Sequence, residues 1–153
     1  MKELLSKEID QNRFGIILLS HGALAEGIQE SLRMILGDIK NIVSLCLEEG
    51  DDVEAFGGEI AVIADMFSRG CIFLVDMLSG TPLNQFIMST ARDRCRAVSG
   101  LNLGMLCEVV IARDENSLQE ITLQKLVAVA VEAGIASIVD VATTLDVVKR
   151  ERK

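Results

Sequence analysis

The feature that most restricts the fold is a series of short apolar runs separated by stretches of helical length. Residues 14–20 (FGIILLS), Ile42–Leu47 (IVSLCL), 71–76 (CIFLVD) and 96–99 (RAVS) each read as a strand. The first and third are apolar without alternation, as expected of strands buried on both faces. Between them, Leu24, Ile28, Ser31, Leu32, Ile35 and Leu36 recur at helical spacing until Gly37 stops the helix. Residues 51–69 open with acidic residues suited to a helix N-terminus and then place Ile60, Ile63, Ala64 and Phe67 on one face. Thr81-Pro82 reads as an N-cap followed by proline in the first turn, opening a helix to about Asp93. Residues 103–112 and 118–133 also look helical, and 135–141 (IASIVDV) reads as a last strand. Strands alternating with helices imply a mostly parallel sheet, and right-handed crossovers place helices on both of its faces. The expected class is α/β, a three-layer α/β/α arrangement of flavodoxin-like order.

The chain has 153 residues, enough for one core, and nothing rich in Gly, Ser or Pro divides it. Residues 13–145 are therefore expected to form one domain. Residues 1–12 read as a polar lead-in, mobile or loosely helical, and 146–153 as a charged, solvated tail. A mean hydropathy of +0.37 raises the question of a membrane. The apolar runs are far too short to span one as helices, and the first residues, MKELLSKEIDQN, lack the apolar segment of a secretory signal. The expected location is cytoplasmic.

Composition excludes several functions. A net charge of −8 argues against nucleic acid, whose phosphates need a basic face. A single histidine, His21, rules out a His-rich metal centre, and the four cysteines show no C-x-x-C spacing, so no metal is expected and the thiols read as buried and reduced. There is no Trp and no Tyr, which weakens direct binding of a sugar or base on an aromatic platform. Nucleotide-binding and hydrolase motifs are missing, and no cofactor is implied.

Open parallel sheets bind ligands at the carboxyl ends of their strands. Three of those ends carry polar groups beside glycines: Ser20-His21-Gly22-Ala23, then Asp76 through Ser79-Gly80-Thr81-Pro82-Leu83-Asn84, then Ser99-Gly100-Leu101-Asn102. Two of these turns enter helix N-termini, whose free amides favour an anion. An imidazole is a competent nucleophile near neutral pH, and a carboxylate on one ring nitrogen would free the other to attack. The first and third strands are neighbours in a flavodoxin-like order, which puts His21 and Asp76 within reach of each other. Each feature has a plainer reading: His21 as a surface histidine, Asp76 as a turn cap, residues 79–82 as a helix start. Their meeting on one rim favours the chemical one.

The segments GIILLSHGALAEGI, FLVDMLSGTPLNQ and GLNLGMLCEVVIAR together resemble the enzyme IIA component of the mannose-class (mannose/fructose/sorbose) sugar phosphotransferase system. The order and spacing agree over about residues 13–113. The resemblance implies a phosphotransferase component that works through a phosphohistidine. His21 would accept a phosphoryl group from the phosphorylated carrier HPr and pass it to an enzyme IIB protein or domain, with the membrane components IIC and IID acting later in uptake. It makes Asp76 the partner of His21, and Gly22, Ser79, Gly80 and Thr81 the phosphoryl-binding residues. It further implies a homodimer that exchanges its C-terminal strand. Ser79 stands where the family has a first loop glycine, and Gly104 where it has a proline. The phosphotransfer subunit of dihydroxyacetone kinase and a regulatory phosphoprotein of the same fold are the alternatives.

Overall fold

The computed structural model of the chain describes residues 1–5, 8–91, 93–115 and 120–153. Its five strands are β1 (Lys2–Leu5), β2 (Gly15–His21), β3 (Ile42–Leu47), β4 (Cys71–Val75) and β5 (Cys95–Ser99). Its helices are α1 (Leu24–Leu36), α2 (Val53–Asp65), α3 (Thr81–Ser89), α4 (Leu103–Glu115), α5 (Leu123–Ala136) and α6 (Val141–Glu151). The sheet order is β1-β3-β2-β4-β5. Strands β2 to β5 run parallel, with β2 between β3 and β4, so the three-layer α/β/α expectation holds.

Each face of the sheet has its own core. Ile16, Leu18, Ile72 and Leu74 point to one side, where Leu32 of α1, Leu106 and Val109 of α4 and Leu126 of α5 cover them. The alternate residues Ile17, Leu19, Phe73 and Val75 point to the other side, against Phe56, Ile60 and Ile63 of α2 and Phe86 of α3. This is why β2 and β4 have no polar alternation. In β2 every residue but the last is buried, and the last is His21.

One buried charge ties the amino ends of the strands together. The Arg113 side chain is wholly buried near the end of α4 and donates to the carbonyls of Phe14 (3.0 Å), Asn41 (3.1 Å) and Lys40 (2.7 Å). Burial pushes the guanidinium pKa down, and a hydrogen bond to the Asp114 carboxylate opposes this. The three carbonyls lie at the entries to β2 and β3; Asn41 O already accepts from Ile16 N at 2.8 Å, and the arginine gives it a second donor while also serving Phe14 O and Lys40 O.

Both chain ends differ from the sequence reading. Lys2–Leu5, expected in a mobile or loosely helical lead-in, is a strand antiparallel to β3, with Lys2 opposite Cys46 and Leu5 opposite Val43. Pairing along β3 overrides a local sequence too short and too charged to signal a strand. Residues 135–141, expected as a last strand, are not one. Ile135 and Ala136 complete α5, and Val141 begins α6. Two local signals defeat the β-branched residues there. The Ser137 amide and hydroxyl both bond the Ala133 carbonyl to close α5, at 3.0 and 2.6 Å. Asp140 then caps α6 by accepting from Ala142 N at 3.1 Å.

Helix boundaries shift as well. α3 ends at Ser89, before the expected Asp93, and α5 begins at Leu123 with Thr122 as its cap. The expected start of that helix at Leu118 lies outside the described residues. Gly37 ends α1 as expected, with a φ of 77° that disfavours other residues. Among the described residues no single helix is long and apolar enough to cross a membrane; α5 and α6 satisfy length and composition only jointly, and they meet at 90°.

Replacing Arg113 by Met keeps much of the volume but removes the donor to the Phe14 and Lys40 carbonyls and the second donor to Asn41 O. We expect urea denaturation to show a loss of about 3 kcal/mol or more, with the far-UV circular dichroism of the folded state retained.

Candidate functional site

The site forms where β2 and β4 end side by side. Leu19 pairs with Val75, so Asp76 leaves the sheet beside Ser20-His21, which still pair with β3 on their other side. Asp76 N donates to Leu19 O at 3.0 Å, which fixes the start of its loop. One carboxylate oxygen, Asp76 Oδ2, then accepts from the His21 backbone N–H at 2.8 Å and faces His21 Nδ1 at 2.7 Å. The other, Oδ1, accepts from Met77 N at 2.8 Å. Asp76 is thus more than a turn cap: it holds its own loop with one oxygen and the histidine with the other.

The tautomer follows from this pairing. An ionised carboxylate can only accept, so Nδ1 carries the proton and the lone pair of the neutral ring lies on Nε2. The Asp76 side chain is 10% exposed and that of His21 45%. The carboxylate is sheltered while the ring reaches solvent.

Gly80 closes the site from the other side. Its φ of 113° is a conformation that side chains rarely adopt. A Cβ there would lie 2.7 Å from His21 Cε1 and 3.0 Å from Nε2. The loop backbone therefore passes directly against the ring edge that carries the lone pair. Gly80 is also the N-cap of α3, a place expected for Thr81; Thr81 is instead the first helical residue, with Pro82 after it. The α3 N-terminus, with its free amides, thus starts at the imidazole. Ser79 is exposed and Thr81 half-buried, one on each side of Gly80. Neither is hydrogen-bonded to His21.

The His21 turn is held at its other end too. Gly22, with φ of 55°, donates its N–H to Leu47 O at 2.7 Å. The wholly buried Ser20 hydroxyl donates to Gly22 O at 3.0 Å and accepts from Ala25 N at 2.8 Å. Sequence reasoning took Ser20 as part of the strand-end motif without giving it a task; a serine just before a helix start was the available signal.

The third strand end plays a different part. Asn102 Oδ1 accepts from Met105 N at 2.9 Å, capping α4, and its Nδ2 donates to Gly134 O of α5 at 3.3 Å. A Cβ on Gly104 would collide with Ser137 Oγ, so the residue standing in the family's proline position admits the end of α5. This segment joins helices and does not contact the imidazole.

No cluster of three or more metal-ligating side chains occurs among the described residues. Cys46, Cys71 and Cys95 are buried and all four cysteines are free. Donation of its S–H to Cys95 and burial together push the Cys71 thiol well above its ordinary range, so it stays protonated.

The family described as PTS system fructose IIA component, the mannose-class enzyme IIA family, matches residues 15–125. The chain belongs to that family. It is 28% identical over 124 residues to the mannose-specific EIIAB component of Escherichia coli K12, covering 78% of this chain but 36% of that protein. It is 28% identical over 109 residues to the fructose-specific EIIA component of Bacillus subtilis, covering 69% of this chain and 75% of that one. The chain thus spans about a third of the length of the EIIAB relatives. Among solved structures, the EIIA component of Streptococcus agalactiae superposes with a TM-score of 0.75 at 27% identity, over 85% of this chain and 98% of that one. The mannose/sorbose-specific IIA subunit of Enterococcus faecalis gives 0.73 at 26%, over 84% and 95%.

Gly80→Ala tests the close approach of loop and ring. His21 is the only imidazole, so its nitrogen resonances are unambiguous in a ¹⁵N NMR spectrum. We expect both to move in a folded Gly80→Ala protein as the ring or loop is displaced; an unchanged spectrum would contradict the geometry.

Proposed function

We propose that this enzyme IIA protein is a cytoplasmic phosphoryl carrier that takes a phosphoryl group from phosphorylated HPr onto His21 and gives it to an enzyme IIB partner. The observation that carries the reading is the single oxygen, Asp76 Oδ2, that meets both the backbone N–H and Nδ1 of His21. That arrangement leaves Nε2 as the attacking atom and holds the ring against rotation.

In the transfer, Nε2 attacks phosphorus as the bond from phosphorus to the donor breaks. The ring, protonated at Nδ1 and phosphorylated at Nε2, then carries positive charge, which the Asp76 carboxylate balances. The Gly80 backbone and the first turn of α3 lie beside Nε2, where backbone N–H groups can meet phosphoryl oxygens. Ser79, Thr81 and Gly22 take their proposed binding roles from their places around that point. Transfer to enzyme IIB is the same step reversed, so a site that binds the phosphoryl group without burying it serves both directions. The membrane components IIC and IID would act after that transfer, where the sugar is taken up.

We also propose a homodimer. A groove of about 470 Å³ runs beside the edge strand β5, lined by Val98, Met105, Val127, Val131 and Ile135 among others. Ile138, Val139, Val141 and Leu145 stand exposed on the following segment, and α6 has no buried residue. A second copy would cover this apolar surface. Light scattering should give twice the 16.6 kDa of the chain; a monomer at micromolar concentration would rule the dimer out.

Incubation with phosphorylated HPr, followed by mass spectrometry, should place one acid-labile phosphate on His21, and none should be found on His21→Ala. Asp76→Asn separates chemistry from capping, because an amide oxygen still caps a turn. Loss of one charge-assisted hydrogen bond is worth about 1.5–3 kcal/mol, or roughly one to two orders of magnitude in rate. A folded Asp76→Asn protein that accepts phosphate at the wild-type rate would reduce Asp76 to a cap.

A further inference from the structure

We infer that Ser20 is a positioning residue for phosphoryl transfer, acting through the turn that carries His21. The inference rests on the reading of His21 as the phosphoryl acceptor. Ser20 is the last inward-facing residue of β2, wholly buried, and pairs in register with Cys46 of β3. A serine so deep in an apolar core costs free energy unless its hydroxyl is satisfied. Here it is satisfied entirely by the turn. The hydroxyl donates to Gly22 O at 3.0 Å and accepts from Ala25 N at 2.8 Å, while Cys46 Sγ packs behind it at 3.9 Å.

The consequences follow from what those two bonds join. Gly22 O lies one residue beyond His21, and Ala25 N is in the first turn of α1. Ala23, the N-cap of α1, provides no side-chain hydrogen bond of its own. Ser20 takes over that capping work from inside the core, three residues earlier. His21 therefore sits between two fixed points: Ser20 clamps the backbone that follows it, and Asp76 holds its N–H and ring. Gly22, with its left-handed φ of 55°, brings no side chain to the turn; its N–H is held by Leu47 O, and its carbonyl by the Ser20 hydroxyl. Without the hydroxyl, the Gly22 peptide could rotate, the imidazole would no longer be held against Gly80, and a misplacement of this kind lowers rate more than binding. The docking surface for HPr would stay intact, so its half-saturating concentration should not change.

The test is rapid-quench transfer from phosphorylated HPr to wild type, Ser20→Ala and Ser20→Thr, with each fold checked by urea denaturation. We expect Ser20→Ala to lower the maximal transfer rate roughly tenfold, with the HPr concentration dependence unchanged, and Ser20→Thr to restore most of it. A purely structural role would shift the urea midpoint without this split. Ser20→Ala transferring at the wild-type rate, or Ser20→Thr failing as badly as Ser20→Ala, would overturn the inference while leaving His21 as acceptor. Absence of phosphate on wild-type His21 would instead defeat the underlying reading. Should the variants not fold, hydrogen exchange on the wild-type chain decides: slow exchange at the Ala25 amide is expected, and exchange as fast as in an exposed loop would overturn the clamp.

Discussion

The site depends on one carboxylate oxygen that accepts two hydrogen bonds from a single residue. Asp76 Oδ2 binds both the backbone and the ring of His21, so its position fixes where the residue is and which nitrogen it offers. That oxygen can be placed only because β2 and β4 are adjacent, parallel and in register up to Leu19 and Val75. The packing of both sheet faces serves this register, since a slip of one residue would turn His21 toward the opposite layer. The buried Arg113 works to the same end from the far edge of the sheet, by satisfying the carbonyls where β2 and β3 begin.

From that constraint the other features of the rim fall into two groups. Gly80 and Gly22 allow the backbone to approach and turn where a side chain could not. Ser20 and Asn102 satisfy helix starts, Ser20 at α1 beside His21 and Asn102 at α4 away from it. Among the described residues of the rim, the imidazole is the reactive group that is both exposed and oriented. A carrier has to receive and release its cargo, and an exposed nucleophile with a sheltered counter-charge suits both steps.

Much of this was legible in the sequence because the strongest signals are local. The unbroken apolar runs of β2 and β4 read as strands buried on both faces, and their neighbouring places in a flavodoxin-like order put His21 and Asp76 within reach of each other. The contact between Gly80 and the imidazole was not legible, because it depends on the path of a loop rather than on residue type. Nor was the clamp of Ser20, whose hydroxyl could as well have faced solvent. The errors lie where local propensity and context disagree. Lys2–Leu5 becomes a strand only by pairing with β3. Residues 135–141 look β-like in composition, yet Ser137 and Asp140 provide the stop and start of two helices. The Gly104 departure from the family pattern likewise made sense only once Ser137 was seen against it.

The measurement that bears most directly on the central claim is the position of the phosphoryl group on the imidazole ring, read by ¹⁵N and ³¹P NMR of the chain phosphorylated by HPr. With Nδ1 held as a donor to Asp76, phosphate is expected on Nε2. Phosphate on Nδ1 would mean that the ring is not held as described, and would contradict the role of Asp76.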